Sequence, residues 1–230
     1  MTHAISLGCN ALDELLRGGI EAGEITLLYG EAATGKTTAA IQAAVLAAAK
    51  GLKVLFIDCD NSFTPQRFYQ IGGDDDRSLT EHIMLFFPNT FEEQRMLVES
   101  LDNYVTPKLG LVIIDSISTL YRAEFGRVDS IFNLNRDLTR QLAYLANLTL
   151  TKKTACLITS QVHARIKPPG DQIEPVARRA LLHFPGTIIK IRSSQNPRVR
   201  EFILERLKGA NTTGRCLVEI TEHGLTNTSS

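Results

Sequence analysis

The chain alternates short apolar runs with longer mixed stretches. Five runs, ITLLY (25–29), KVLFI (53–57), IMLFF (83–87), LVII (111–114) and ACLIT (155–159), are rich in Val, Ile and Leu and show no in–out alternation. A strand that is apolar on both faces belongs in a parallel sheet covered on both sides. Between the runs lie helical patterns. Residues 36–50 are rich in Ala, Leu and Gln and are stopped by Gly51; Phe91 to Tyr104 carries Leu97, Val98 and Leu101; Val128 to Leu150 is a third and longer one. This order predicts an α/β fold, a mainly parallel twisted sheet with helices on both faces. The last third changes style. Residues 186–192, 201–207 and 215–221 predict shorter strands joined by polar turns. They are expected to form an antiparallel extension of the same sheet, so that residues 1–230 make one domain.

Parallel strands deliver their C-terminal ends to one sheet edge, where ligands bind. The residues after these runs are therefore the first candidates for chemistry. After the first run comes Gly30-Glu31-Ala32-Ala33-Thr34-Gly35-Lys36-Thr37, an ungapped GxxxxGKT between a strand and a helix. Small residues let successive backbone N–H groups wrap phosphate oxygens, and the helix N-terminus adds positive dipole. Lys36 would reach the β- and γ-phosphates of ATP and the Thr37 hydroxyl would bind Mg²⁺. A chance Gly-Lys-Thr in an ordinary strand–turn–helix is the alternative. Asp115 ends the fourth run, as a helix N-cap or as the carboxylate behind Mg²⁺. Asp60 follows the second run, as the base for an attacking water or as a turn residue beside Asn61 and Ser62. Gln161 follows the fifth, as a γ-phosphate contact or as a solvated strand end.

Composition narrows the class. The 230 residues are 43% hydrophobic and 22% charged, normal for a globular protein and not suggestive of disorder. No apolar run is long enough to span a bilayer, and the first residues lack the basic and apolar regions of a signal peptide. The four cysteines have no CxxC spacing, which excludes a zinc ribbon and argues against a disulfide framework. Cys9, Cys59, Cys156 and Cys216 read as small structural residues.

The segments ISLGCNALDELLRGGIEAGEITLLYGEAATGKTTAAIQAA, VLFIDCDNSFTPQRF (54–68), LVIIDSISTLYR (111–122), LITSQV (157–162) and ITEHGL (220–225) resemble the ATPase core of RecA-family recombinases. The likeness is strongest to the archaeal and eukaryotic strand-exchange proteins and, among compact core-only members, to the archaeal RadB paralogs. It covers nearly the whole chain, with motifs in family order. It implies a RecA-type core without the small N-terminal helical domain and without the Phe-x-x-Ala self-assembly linker. It also implies that Gly30 to Thr38 form the ATP loop, that Asp115 is the Mg²⁺-linked carboxylate, and that Gln161 senses phosphate at the start of the second DNA-binding loop. Arg67 matches an adenine-packing arginine, and His183 a histidine that approaches a neighbour's nucleotide. The chain departs from the family at Asp60, where full recombinases carry Glu. It departs also at Ala177 and Arg178, which replace paired glycines, and around Leu207 to Thr213, where the Asp-Ser-Pro cap over ATP is missing. A shortened carboxylate holds water farther from its target, so weak ATP hydrolysis is expected.

The balance of 25 basic and 25 acidic side chains conceals polarity. Residues 161–200 carry a net +6 and residues 58–110 a net −6. The basic segment includes a Pro- and Gly-bearing stretch, Lys167 to Gly170, that reads as a loop without regular structure. Arg122 and Arg127 belong to a first candidate loop, and His163, Arg165, Lys167, Arg178 and Arg179 to a second. Phosphate contacts from such residues would give sequence-tolerant, salt-dependent binding of DNA, single-stranded by expectation. A solvated basic edge is the alternative, and His163 is equally readable as a strand-end polar residue. The leading expectation is a DNA- and ATP-binding recombinase paralog that assists recombination and repair, cytoplasmic and nucleoid-associated, with no membrane contact. A second is an interaction module with a vestigial ATPase, regulating a recombinase or nuclease through protein surfaces such as the acidic Asp74 to Asp76. A clock-protein or helicase-core ATPase is a third. Oligomers are possible, although the usual self-assembly motif is absent.

Overall fold

The structure is a computed structural model and describes residues 4–73, 77–125, 131–165 and 172–228. After a short helix α1 (Asn10–Leu15), the chain alternates strands and helices: β1 (Ile25–Gly30), α2 (Lys36–Ala49), β2 (Lys53–Asp58), α3 (Pro65–Gly72), β3 (Ile83–Phe86), α4 (Phe91–Glu99), β4 (Leu109–Asp115), α5 (Thr119–Ala123), α6 (Ile131–Lys152) and β5 (Ala155–Ser160). A two-stranded ribbon, β6 (Val162–Arg165) and β7 (Gln172–Pro175), is followed by α7 (Arg178–His183). The chain closes with β8 (Thr187–Ser193), β9 (Val199–Arg206), β10 (Gly214–Thr221) and β11 (Gly224–Asn227).

Nine strands form one sheet in the order β11-β10-β9-β8-β1-β5-β4-β2-β3. The expected parallel strands are all present, and each apolar run is apolar for the expected reason. In β4, Leu111 and Ile113 face one hydrophobic cluster while Val112 and Ile114 face the other. Strand β1 divides the same way, Leu28 against Ile25, Leu27 and Tyr29. The first cluster lies under α1, α2 and α3, and the second under α4 to α7. Ala39, Ala40, Ala43, Ala44 and Ala47 are fully buried along α2. Small side chains let this helix lie close to the sheet, which fixes its N-terminus against the end of β1.

Two expectations need correction. The strand expected at 186–192 pairs parallel to β1 and only then antiparallel to β9, because α7 returns the chain to the start of the sheet. The antiparallel extension is therefore β9 to β11. The helix expected to reach Tyr104 ends at Glu99, where the Ser100 N–H bonds back to Met96 and Leu97 and a 3-10 turn follows. The third helix runs Ile131–Lys152, and residues 126–130, with Arg127, lie outside the described residues. The stretch read as an irregular loop is entered and left by β6 and β7, paired in register from Val162↔Pro175 to Arg165↔Gln172. Among the described residues no helix is long and apolar enough to cross a membrane.

Candidate functional site

The loop after β1 is shaped by two close approaches. A side chain at Gly30 would put its Cβ 2.5 Å from the Ile191 carbonyl of β8. Gly35 sits at φ 93, and a Cβ there would meet Ile220 at 2.5 Å. No side chain caps α2, so its first N–H groups face the loop, as a phosphate cradle requires. The Thr34 hydroxyl donates to the Glu31 carbonyl at 2.8 Å. Lys36 folds over the same turn and donates to the carbonyls of Gly30 (3.1 Å) and Glu31 (2.6 Å). Its described acceptors are neutral carbonyls and the Thr34 hydroxyl, and burial pulls its pKa down. A buried ammonium held this way is a cation poised for an anion.

Carboxylates and hydroxyls converge beside it. Asp115 is 1% exposed and accepts from the hydroxyls of Thr159 and Thr37. Burial pushes its pKa up, and Asp60 and Asp58 add to the shift. Asp58 is engaged by the backbone N–H groups of Asp60, Ser62 and Phe63, so it shapes the turn that presents Asp60. Asp60 accepts from the Thr119 and Ser116 hydroxyls, and burial raises its pKa. Among the described residues no group of three His, Cys, Asp or Glu forms a metal site. One carboxylate beside a threonine hydroxyl is instead the oxygen set of a Mg²⁺ held largely by phosphates and water. The residues present fit that ion.

A hollow of about 310 Å³ opens over the loop from Ala33 to Thr38. Its opposite wall is Pro197, Arg198, Arg200 and Ile220 from the antiparallel extension. A second hollow of about 500 Å³ shares Arg198 and Ile220 with it and is lined also by Arg67 and His223. Arg67 donates to the carbonyls of Thr221 (3.0 Å) and Glu222 (2.7 Å), which brings it to the expected base-binding end.

Gln161 joins this site to the candidate loops. Its side-chain oxygen accepts from Arg122 at 2.7 Å, its carbonyl accepts from the Val176 N–H at 3.2 Å, and its N–H donates to the Ser118 hydroxyl at 3.2 Å. Ser118 lies three residues beyond Asp115, within the segment that carries Ser116 and Thr119 to Asp60. His163 and Arg165 lie on β6, and Lys167 and the acidic Asp74 to Asp76 lie outside the described residues. Arg178 and Arg179 are exposed at the start of α7, beside Phe132 and Asn135 in a hollow of about 600 Å³. His183 lies at the far end of α7, edge-on to Phe184.

The net +6 of residues 161–200 does not form one surface. Lys190 is 7% exposed over the Tyr29 ring, while Arg198 and Arg200 stand at the phosphate hollow. The reason is topological, since β8 carries the segment through the sheet between its two groups of charges. Sequence reasoning missed Arg198 and Arg200 as site residues. No local pattern marks them, because their partner loop is more than 160 positions away.

A sheet of this order, with a GKT loop after β1, a carboxylate ending β4 and a glutamine after β5, defines a RecA-like core. The chain matches the Rad51 family over residues 2–227 and belongs to it. It is 36% identical to the DNA repair and recombination protein RadB of Methanococcoides burtonii over 183 residues, 80% of each chain. It is 34% identical to the RadB of Thermococcus gammatolerans over 228 residues, 98% of this chain and 99% of that one. A crystal structure of the RadB recombinase superposes with a TM-score of 0.84 at 30% identity, covering 98% of this chain and 100% of that chain.

Proposed function

We propose that this chain is an ATP- and Mg²⁺-binding recombinase paralog that binds DNA in a nucleotide-dependent way and assists recombination and repair. The observation that carries the reading is the position of Gln161. One residue bonds the Asp115–Thr119 segment through Ser118, the first candidate loop through Arg122 and the ribbon through Val176. A phosphate that draws the Gln161 amide would free or reorient Arg122 and shift the ribbon, so DNA affinity would follow nucleotide state.

Mg²⁺, when bound, supplies charge neutralisation between the terminal phosphates. Thr37 and Asp115 are the residues that would hold it. Lys36 meets the phosphate charge, and the N-terminus of α2 adds its dipole. Asp60 orients the attacking water and takes its proton. With one methylene less than the family's glutamate it does so at a disadvantage, and hydrolysis is slow. The domain reading is one RecA-type core, in the cytoplasm at the nucleoid, with DNA as the first partner and a recombinase or nuclease as the second. The relatives' names, each a DNA repair and recombination protein, support this reading.

Anisotropy titration of labelled single-stranded DNA, with ATP, with ADP and without nucleotide, tests it. We expect tighter binding with ATP and a steep fall in affinity with salt. Equal affinity in all three states would overturn the nucleotide coupling. Salt-independent binding, or none, would overturn the DNA reading. That result would favour the interaction-module reading, to which the shortened Asp60 points.

A further inference from the structure

The phosphate hollow is walled on one side by the loop that marks the family and on the other by the turn into β9. Arg198 and Arg200 project from that turn. With Lys36 they put three cations around the hollow, and none of the described residues lining it is acidic. Three positive charges facing one cavity match an oligoanion, and Lys36 alone does not account for them.

The turn is built to hold these side chains in place. The Ser194 hydroxyl donates to the carbonyls of Asn196 and Val199, each at 3.0 Å, and the Asn196 side chain accepts the Arg198 N–H at 3.0 Å. Strand β10 clamps the turn from outside, since the Ile220 N–H donates to the Arg198 carbonyl at 2.8 Å. Arg200 reaches across to the phosphate loop and donates to the Ala33 carbonyl at 3.2 Å. Its other described acceptors are the carbonyls of Pro197 and Val199, so no anion among the described residues meets the guanidinium. Its Nε is buried and has no acceptor among the described residues. A buried N–H without a partner is costly, and a guanidinium bonded only to neutral carbonyls beside a phosphate cradle has donors in reserve for phosphate oxygens. Arg198 lines both hollows, so it stands where the phosphate chain of a nucleotide crosses toward its base.

We propose that Arg198 and Arg200 are nucleotide-binding residues, supplied by the chain's own β9 turn and directed at the phosphates of a nucleoside triphosphate. Arg200 also braces the phosphate loop through Ala33. The proposal rests on the nucleotide reading above and reassigns two arginines that charge counting grouped with a DNA surface.

The test titrates a fluorescent ATP analogue into wild type, Arg198→Ala, Arg200→Gln and Lys36→Ala, with ADP and AMP as competitors and light scattering to record mass. Each arginine variant should bind ATP about 10- to 100-fold more weakly, the range of a hydrogen bond to a charged group. The loss should shrink from ATP to ADP to AMP. Nucleotide-free DNA affinity should be unaltered in both arginine variants. If Lys36→Ala loses ATP while both arginine variants bind within twofold of wild type, the proposal is overturned and the nucleotide reading stands. If wild type fails to bind ATP, both fall. Loss of DNA affinity with ATP affinity intact returns the arginines to the DNA surface. Should Arg200→Gln unfold, Arg198→Ala decides the matter alone, because it replaces an exposed turn residue.

Discussion

The parallel half of the sheet and its antiparallel extension solve different problems. Strands β1, β4 and β5 are buried on both faces along almost their whole length, and their chemistry sits at their C-terminal ends. Strands β9 and β10 are half-buried and alternate, with Phe202 and Leu204 turned to the core between partly exposed neighbours. The first half makes the candidate phosphate loop from local sequence. The second closes over that cradle from a distance, holding Gly35 under Ile220 and Ala33 under Arg200. The lesson is that the site has one wall written in motifs and another written in packing.

The largest expected effect tests whether the extension belongs to the same cooperative core. Phe202 is fully buried in the cluster beneath α2. Phe202→Ala should cost about 3–5 kcal/mol, as a buried aromatic does in any core. Chemical denaturation should show a single transition at lower denaturant with unchanged slope. A split transition would mean that the extension unfolds separately from the parallel half.

Asp60→Glu sharpens the catalytic side of the comparison. The longer carboxylate should raise single-turnover ATP hydrolysis by up to about 100-fold, the scale of a small misplacement. Because burial and the neighbouring Asp58 raise the Asp60 pKa, hydrolysis by wild type should fall on the acid side at a higher pH than an ordinary carboxylate gives. A flat rate after the change would mean that Asp60 is a turn residue.

The tie between the two halves is Gln42. It is 6% exposed on α2, donates to the Leu225 carbonyl at 3.1 Å and accepts the Leu225 N–H at 2.6 Å. Gln42→Ala leaves two buried backbone groups unpaired and should cost about 1–3 kcal/mol. It should also weaken ATP binding more than Phe-to-Leu changes of similar stability cost, since it releases β11 from the phosphate helix.

Asp115→Asn has the smallest expected effect on stability, and its sign carries the information. The folded chain binds the Asp115 proton more tightly than the unfolded chain does, because burial raises its pKa. The destabilising contribution of the ionised group is therefore present above the folded pKa and fades as pH falls through it. Removing the charge should raise the ligand-free melting temperature slightly at neutral pH and flatten its pH dependence. The same change should abolish any tightening of ATP binding by Mg²⁺. A lower melting temperature would show that the Thr37 and Thr159 hydroxyls outweigh desolvation.

Much was legible in one dimension. The GKT loop, the carboxylates just after β2 and at the end of β4 and the glutamine after β5 each come at the end of a strand that its apolar run identifies. The mainly parallel sheet followed from strands lacking alternation. Other features had no local signature. Helices α1, α5 and α7 are five or six residues long, too short for a period to declare itself. The ribbon β6–β7 was hidden by the Pro and Gly between its strands. The direction of β8 depended on α7 returning the chain across the sheet.

The sequence by itself determined the candidate phosphate loop, because that chemistry needs neighbours in a single turn and a single helix end. Tertiary structure alone decided which arginines face it. Arg122 was expected on a DNA loop and is held by Gln161, while Arg198 and Arg200 were counted with a basic surface and line the phosphate hollow. A charge has no period and no preferred neighbour along the chain. Its role is set by what the fold brings within hydrogen-bonding distance, and that is fixed only when the sheet is assembled.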